Sequence, residues 1–235
     1  MPIERVLVDF DGTISIEDST DALLTRYAEP AWLEVEAAWL RGEIGSRHCL
    51  AEQVALLRAS PRSVQRFAAA IAIDAGFLDF LSTCRALGLP VTVLSDGFDI
   101  LVHGALGSAG IALPVIANRL VHAGGDRWTA GFPHASEVCR AGSGNCKCAT
   151  LAAPAAITAP GTLLVGDGRS DFCAAGAAEM VLAKGRLIRH CRDEGITHHP
   201  FADFAEIAAA LPDILAGRES HRALLTRMPE CEARP

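Results

Sequence analysis

Two aspartates, Asp9 and Asp11, stand one residue apart at the end of the apolar run Val6-Leu7-Val8 and are followed by Gly12-Thr13. A second run, Val91-Thr92-Val93-Leu94, ends in Ser95-Asp96. A third, Thr162-Leu163-Leu164-Val165, leads into Gly166-Asp167, with Asp171 four residues further on. A carboxylate at the end of a buried strand costs free energy unless a cation or a hydrogen-bond donor meets it. Two arrangements satisfy that need: the acids cap neighbouring helices, or they hold a metal ion. A single strand-end aspartate is ordinarily a cap. Three such groups in succession, each after an apolar run, favour one shared site beyond the carboxyl ends of a parallel sheet.

The elements that must position these groups are legible in the hydrophobic pattern. Strands are expected at 5–10, 90–95, 114–120, 162–168 and 180–183, and residues 119–132 read as a hairpin turning at Gly124-Gly125-Asp126. From about Glu17 to Ile73 the apolar residues recur at helical spacing, as in Leu23, Leu24 and Tyr27, or Trp32, Val35 and Trp39. Pro30 and Pro61 each stand where a new helix can begin, so this block reads as three or four inserted helices. Further helices are expected at 74–87, stopped by Gly88, and at 97–109, 146–153, 184–194 and 204–215. The charged tail after Gly217 reads as a last helix or a frayed end. Strands alternating with helices imply an α/β fold with a mostly parallel sheet and right-handed crossovers.

Composition narrows the function classes. Half of the 235 residues are hydrophobic and 21% are charged, enough for one domain of ordinary size with a smaller insertion. The formal charge is -7, and no block of Lys or Arg stands out, which argues against a nucleic-acid partner. A strand beginning at Arg5 leaves no room for a signal peptide, and no stretch approaches the ~18 apolar residues of a membrane span. A cytoplasmic protein with no membrane partner is expected. The eight cysteines then read as free thiols. Cys139, Cys146 and Cys148 lie near His134 and raise zinc, but their spacing lacks the paired knuckle of common structural sites.

At this point the residues resemble a family. Asp9-Phe10-Asp11-Gly12-Thr13 resembles the first motif of the haloacid dehalogenase (HAD) superfamily, Ser95 the second, Lys147 the third, and Gly166-Asp167-Gly168-Arg169-Ser170-Asp171 the fourth. All four occur in order between residue 6 and about residue 183. The resemblance implies a Rossmann-like core formed by 1–15 and 75–235, and an α-helical (C1-type) cap of the phosphoserine-phosphatase kind formed by 16–74. Ser95-Asp96-Gly97-Phe98-Asp99, Gly144-Asn145-Cys146-Lys147 and residues 166–175 resemble the methionine-salvage (MtnX-like) phosphatases, which act on 2-hydroxy-3-keto-5-methylthiopentenyl-1-phosphate. This subgroup is also similar to phosphatases of phosphocholine and related small esters. The chain departs from the pattern at Asp96, where Gly or Ser is usual, in Ser143-Gly144-Asn145 before Cys146-Lys147, and at Glu179, where Asp is frequent.

What the resemblance implies is a Mg2+-dependent phosphomonoesterase acting on a small phosphate ester, the methionine-salvage enol phosphate among the candidates. Asp9 is then the nucleophile that forms an aspartyl-phosphate, and Asp11 the acid and base. Magnesium falls to Asp9, the Asp11 carbonyl and Asp167, with Asp171 as a ligand through water or as the holder of Lys147. The Ser95 hydroxyl, the Gly97 amide and Lys147 grip the phosphoryl group. Thr13 is placed with the phosphate, with helix capping or orientation of Asp11 as its other readings. Asp18, Ser19 and Arg47 are the candidates for substrate choice in the cap, and His134 stands in the loop before Lys147. A phosphotransferase or phosphomutase would use the same covalent chemistry. A non-catalytic metal- or phosphate-binding module is the remaining alternative, and monomer and homodimer both stay open.

Overall fold

In the first apolar run, alternate side chains face opposite ways, as a strand requires. Val6 and Val8 enter one hydrophobic cluster and Leu7 enters another. The computed structural model describes residues 2–139, 141–152 and 161–217. This run, β1 (Ile3–Val8), lies at the centre of a seven-stranded sheet. On one side follow β2 (Val91–Phe98), β3 (Val115–Gly124) and β4 (Arg127–Gly131). On the other side follow β5 (Gly161–Gly166), β6 (Met180–Ala183) and β7 (His198–Pro200). All neighbours pair in parallel except β3 and β4, which form the antiparallel hairpin. The chain therefore builds outward from β1 in both directions, and the strand order reverses between β1 and β5. That reversal opens a crevice at the carboxyl ends of these two strands.

Between β1 and β2 run α1 (Ser19–Tyr27), α2 (Trp32–Leu40), α3 (Ser46–Ala55), α4 (Pro61–Ala69) and α5 (Phe77–Ala86). The starts of α1 and α4 are set by side chains: Asp18 accepts from the Asp21 amide, and Ser60 accepts from the Ser63 amide with Pro61 in the first turn. Then come α6 (Asp99–Ser108), α7 (Lys147–Ala152), α8 (Phe172–Ala175), α9 (Gly185–Asp193) and α10 (Phe204–Leu215). Helices α5, α6 and α10 cover one face of the sheet, where Phe77, Phe80 and Phe204 are fully buried and pack ring against ring. Helices α8 and α9 cover the other through Ala174, Ala175, Leu187 and Cys191. Helices α1, α3 and α4 form a third cluster, in which Leu23, Val54 and Val64 meet Phe98, Leu101 and Trp128. The Trp128 indole donates to the Ala59 carbonyl at 2.8 Å and ties this layer to the hairpin.

The differences from expectation are local and have physical causes. β1 stops at Val8 because the chain turns sharply over Phe10–Ile14. The helix expected from Asp74 begins at Phe77, since the Asp74 carboxylate instead accepts from the Gly76 amide at 2.9 Å. The helix expected from Gly97 begins at Asp99, because β2 continues through Phe98. The strand expected at 114–120 and the first arm of the hairpin are one continuous β3. β7 is an addition: His198-His199-Pro200 has no apolar run, and its proline is tolerated at the edge of the sheet. The tail after Gly217, Cys231 and the last residue of the helix expected at 146–153 lie outside the described residues.

Candidate active site

The Asp9 amide donates to the Val165 carbonyl at 2.9 Å, so the end of β1 is fastened to β5. The chain then leaves the sheet in a tight turn closed by the Ser15 amide on the Phe10 carbonyl at 2.9 Å. Gly12 sits in that turn at φ +69°, and a Cβ there would stand 2.7 Å from Asp167 Oδ2. Only glycine lets the turn lie this close to the end of β5. Asp9 Oδ1 accepts from the Phe10 amide at 2.7 Å and from Lys147 Nζ at 2.7 Å. Thr13, fully buried, donates its hydroxyl to Asp167 Oδ1 at 3.0 Å. Asp171 Oδ1 accepts from Lys147 at 2.7 Å, and its Oδ2 accepts from the amides of Asp167 and Gly168 at 3.2 and 3.3 Å. Oxygens of Asp9, Asp167 and Asp171 thus lie within 4.8 Å of one another.

Three carboxylates share this space with one ammonium. Burial pushes the Asp9 carboxyl well up, the charges of Asp171 and Asp167 add to it, and Lys147 opposes them. Burial and Asp171 likewise raise Asp167 against the Thr13 hydroxyl and Lys147. Burial works against the charge on Lys147, but Asp171 and Asp9 outweigh it and keep the ammonium above its ordinary range. The cluster is a set of hard oxygen donors short of positive charge, which fits a magnesium-sized divalent cation. Asp171 has both oxygens engaged, so among its two expected roles the hydrogen bonds match the holder of Lys147.

The second aspartate of the pair is held differently. Asp11 Oδ1 accepts from the Ser19 amide at 2.8 Å and from the Ser19 hydroxyl, and Oδ2 accepts from Ser95 Oγ at 3.3 Å. Burial raises the Asp11 carboxyl, and the Ser19 and Ser95 bonds pull it back. The Gly97 amide donates to Ser95 Oγ at 2.9 Å. A Cβ on Gly97 would strike Asp11 Oδ2, so this glycine answers to a close approach. Ser95, Gly97 and Asp11 therefore meet at one point.

Several participants escaped sequence reasoning. Asp96 accepts from Ser46 Oγ of α3 at 2.7 Å and from the Asn145 amide at 2.7 Å, and burial raises its carboxyl against those bonds. Asn145 Nδ2 donates to the carbonyls of Ser95 and Ile116 at 2.8 and 3.0 Å, and Asn118 donates to the Asp96 carbonyl at 2.6 Å. Ser170 accepts from Lys147 at 3.0 Å and lies 3.4 Å from Asp9 Oδ2. Asp96 and Asn145 were visible as departures from the family pattern. Ser170 stood inside a motif, and Asn118 carried no signal.

A cavity of about 180 Å³ reaches from Asp9, Asp11 and Asp167 to the inserted helices, where Thr20, Asp21 and Glu36 line it. It is smaller than the roughly 300–1,000 Å³ of sites for drug-sized ligands, so its occupant is small. Asp18 borders the cavity and also caps α1. The other two candidates for substrate choice are elsewhere. Ser19 is spent on Asp11, and Arg47 pairs with Glu137 at 3.0 Å on the surface. Thr13, expected on the phosphate, is instead bonded to Asp167 and lies outside the cavity wall. His134 is exposed. Cys146 and Cys148 Sγ lie 3.4 Å apart, and among the described residues the only cluster suited to a metal is the acidic trio.

The model of the haloacid dehalogenase-like hydrolase family matches residues 6–176. The chain is 32% identical over 213 residues to 2-hydroxy-3-keto-5-methylthiopentenyl-1-phosphate phosphatase of Exiguobacterium sp., covering 89% of this chain and 98% of that enzyme. The enzyme of the same name from Bacillus velezensis is 29% identical over 216 residues, with 89% and 90% covered. Among solved structures, a phospho-aspartyl intermediate analogue of phosphoserine phosphatase superposes with a TM-score of 0.67 at 23% identity, covering 89% of this chain and 99% of that one. No helix among the described residues is long and apolar enough to cross a membrane.

Proposed function

The chain belongs to the haloacid dehalogenase-like hydrolases, and we propose that it is a magnesium-dependent phosphomonoesterase working through an aspartyl-phosphate. One observation carries this reading: distant chain segments bring Asp9, Asp11 and Asp167 to one cavity where the strand order reverses, with Lys147 buried against Asp9 behind its wall. A phosphate monoester dianion repels nucleophiles, so its hydrolysis needs a nucleophile, a proton donor and neutralising charge. Asp9 is the nucleophile: its carboxylate attacks phosphorus, and the ester oxygen departs. Asp11, raised by burial and aimed by Ser19 and Ser95, gives that oxygen its proton and afterwards takes one from the water that cleaves the acyl phosphate. Ser95 and the Gly97 amide are the donors for the phosphoryl oxygens, and Lys147 neutralises the charge that gathers there.

Asp9 and Asp167 would hold magnesium through their carboxylates, and the Asp11 carbonyl would be a further oxygen ligand. Bound there, the cation supplies positive charge against the phosphate dianion. Thr13 fixes the orientation of Asp167, and Asp171 fixes Lys147. Residues 16–74 act as a cap on the core of 1–15 and 75–235. Among its contacts with the floor are Ser19 on Asp11, Ser46 on Asp96, and Trp39, over whose ring the Arg169 guanidinium lies at 5.2 Å. Closure of the cap keeps bulk water from the reacting phosphate and reopening releases product.

The enol phosphate in the names of the related phosphatases is the first substrate to test, beside phosphoserine, phosphocholine and p-nitrophenyl phosphate. Release of inorganic phosphate with magnesium and no added acceptor is the expected result, and it separates hydrolysis from transfer. Asp9→Asn, nearly isosteric, should remove turnover by more than about a thousandfold while the fold stands. Retention of most activity in that variant, or full activity in chelator, would refute the assignments of Asp9 and Asp167.

A further inference from the structure

Cys139, Cys146, Cys148 and Cys173 form a chain of sulfur contacts beside Lys147, and the phosphatase chemistry uses none of them. Cys146 Sγ lies 3.4 Å from Cys148 Sγ. The Cys146 thiol also donates to Cys139, and Cys148 meets Cys173. We propose that Cys139 and Cys146 are an oxidation site: a hydroperoxide joins them in a disulfide that disturbs Lys147 and stops turnover. The two thiols are built unequally. Cys139 is half-buried and follows Val138, which is 88% exposed, and its sulfur accepts from the Ser143 amide at 3.4 Å. Burial opposes the Cys139 thiolate, but Ser143, Cys146 and the Ala141 amide outweigh burial and hold it below its ordinary value. Cys146 is 2% exposed, and burial together with its sulfur neighbours pushes it up to about 12. An accessible thiol with donors on its sulfur is the one that reacts, and a buried protonated thiol in contact with it is placed to resolve the product.

The Cys139 thiolate attacks one oxygen of the peroxide and the O–O bond breaks. The other oxygen leaves and takes up the proton that the thiol had released. Cys139 is then a sulfenic acid. The Cys146 sulfur attacks the Cys139 sulfur, the S–O bond breaks, and the hydroxyl departs as water with the Cys146 proton. With hydrogen peroxide, two thiols and one peroxide become one disulfide and two waters, and two electrons pass from sulfur to oxygen. A dithiol reverses the step by exchange and itself becomes a disulfide. The pair stands where such a bond is felt. Cys146 lies between Asn145, which holds the Ser95 and Ile116 carbonyls, and Lys147, whose ammonium is 2.7 Å from both Asp9 and Asp171. A covalent bond to Cys139 draws Cys146 off its contact with Cys148 and moves both neighbours. The loop that carries Cys139 also meets the inserted helices, since the Gly142 carbonyl accepts from the Arg47 amide at 2.9 Å.

The test treats the reduced full chain with hydrogen peroxide at neutral pH, alkylates the remaining thiols and maps the peptides by mass spectrometry. A disulfide between Cys139 and Cys146, within a single chain on a non-reducing gel, is the expected product. Turnover of p-nitrophenyl phosphate in magnesium should fall about tenfold or more, chiefly in kcat, because Lys147 neutralises charge during transfer. Dithiothreitol should restore it. Cys139→Ser should keep the activity of the reduced enzyme and lose its sensitivity to peroxide. Cys146→Ser should leave a sulfenic acid on Cys139 that dimedone captures. The wild-type peptide map and kinetics decide alone should either variant fail to fold. The proposal is overturned if Cys139 stays reduced, if the disulfide omits Cys139 or Cys146 or links two chains, or if it leaves turnover unchanged. Formation of the disulfide does not depend on the phosphomonoesterase reading, whereas the loss of turnover rests on it. A reduced enzyme inactive on every ester, p-nitrophenyl phosphate included, defeats that reading, and the peptide map still decides whether the thiols pair.

Discussion

Replacing Lys147 by methionine removes the one ammonium inside the acidic floor while keeping the length of the side chain. Lys147 is 1% exposed and stands 2.7 Å from both Asp9 and Asp171, which are themselves 4% and 0% exposed. Without it, two carboxylates that are already short of positive charge lose their common counter-ion. Breaking a buried pair in this way costs about 3–5 kcal/mol. In a chain of this size each kcal/mol moves Tm by about 2–4 °C, so Lys147→Met should melt about 6–20 °C lower. The melt is followed by circular dichroism in chelator, so that no metal substitutes for the lysine. The double variant Lys147→Met/Asp171→Asn removes one of the stranded charges and should regain about 1 kcal/mol or more relative to Lys147→Met alone. A loss below about 1 kcal/mol in the single variant, or a double variant no better than the sum of its parts, would refute the picture of Lys147 as the charge that holds the acids together.

Three other outcomes follow from particular bonds. Thr13→Val removes the hydroxyl on Asp167 with little change in volume. It should weaken magnesium about 10–100-fold, read from the magnesium dependence of phosphate release; an unchanged half-saturation would show that Asp167 is aimed by something else. Asn145→Leu strands the carbonyls of Ser95 and Ile116 and should cost about 2 kcal/mol or more in a urea melt, together with a fall in kcat because Ser95 shifts. Stability equal to wild type would mean that water replaces the amide at no cost. Asp21, lifted to about 6 from 3.8 by burial, Glu36 and Asp11, holds a proton in the folded state that the unfolded chain has already released. Its contribution to stability is intact below about pH 4 and lost as pH rises through about 6. A fully dehydrated group would account for about 3 kcal/mol, and the remaining exposure of Asp21 reduces that to about 1 kcal/mol. Asp21→Asn should therefore raise Tm by a few degrees at pH 7.5 and by nothing at pH 4; an equal shift at both values would exclude titration of Asp21 as the cause.

The sheet was legible wherever a strand carried an apolar run. β1, β2, β5 and β6 are covered by helices on both faces, and such strands read as continuous hydrophobic stretches. β7 has none, because an edge strand needs backbone pairing more than buried side chains, so His198-His199-Pro200 gave no periodic signal. The acids of the floor were legible because each follows a strand, and the position of a strand end is a local property. Asp11 was readable as a partner of Asp9 for the same reason. What holds Asp11 was not: Ser19 sits eight residues away beyond an irregular turn, and its amide and hydroxyl reach back through geometry alone. Arg47 illustrates the opposite error. A cation in the inserted helices suggested a grip on substrate, yet α3 presents it to Glu137 on the surface.

The two sides of the cavity follow opposite electrostatic logic, and that contrast explains why the class of reaction was readable and the leaving group was not. On the floor every acid has a hydrogen-bond partner from the chain itself, although Lys147 alone does not balance their charge: Asp9 has Lys147, Asp167 has Thr13, Asp11 has Ser19, and Asp171 has two backbone amides. Those answers come from residues of motif and strand end, so they can be anticipated. On the helical side Asp21 and Glu36 lie fifteen positions apart on separate helices, and each taken singly resembles an ordinary solvated helix acid. Only the convergence of α1 and α2 on one cavity wall brings them together. If the inserted helices choose the substrate, that choice is separable from the chemistry of the floor. A swap of the charge at Glu36 should redirect which ester is accepted without moving the nucleophile or its lysine.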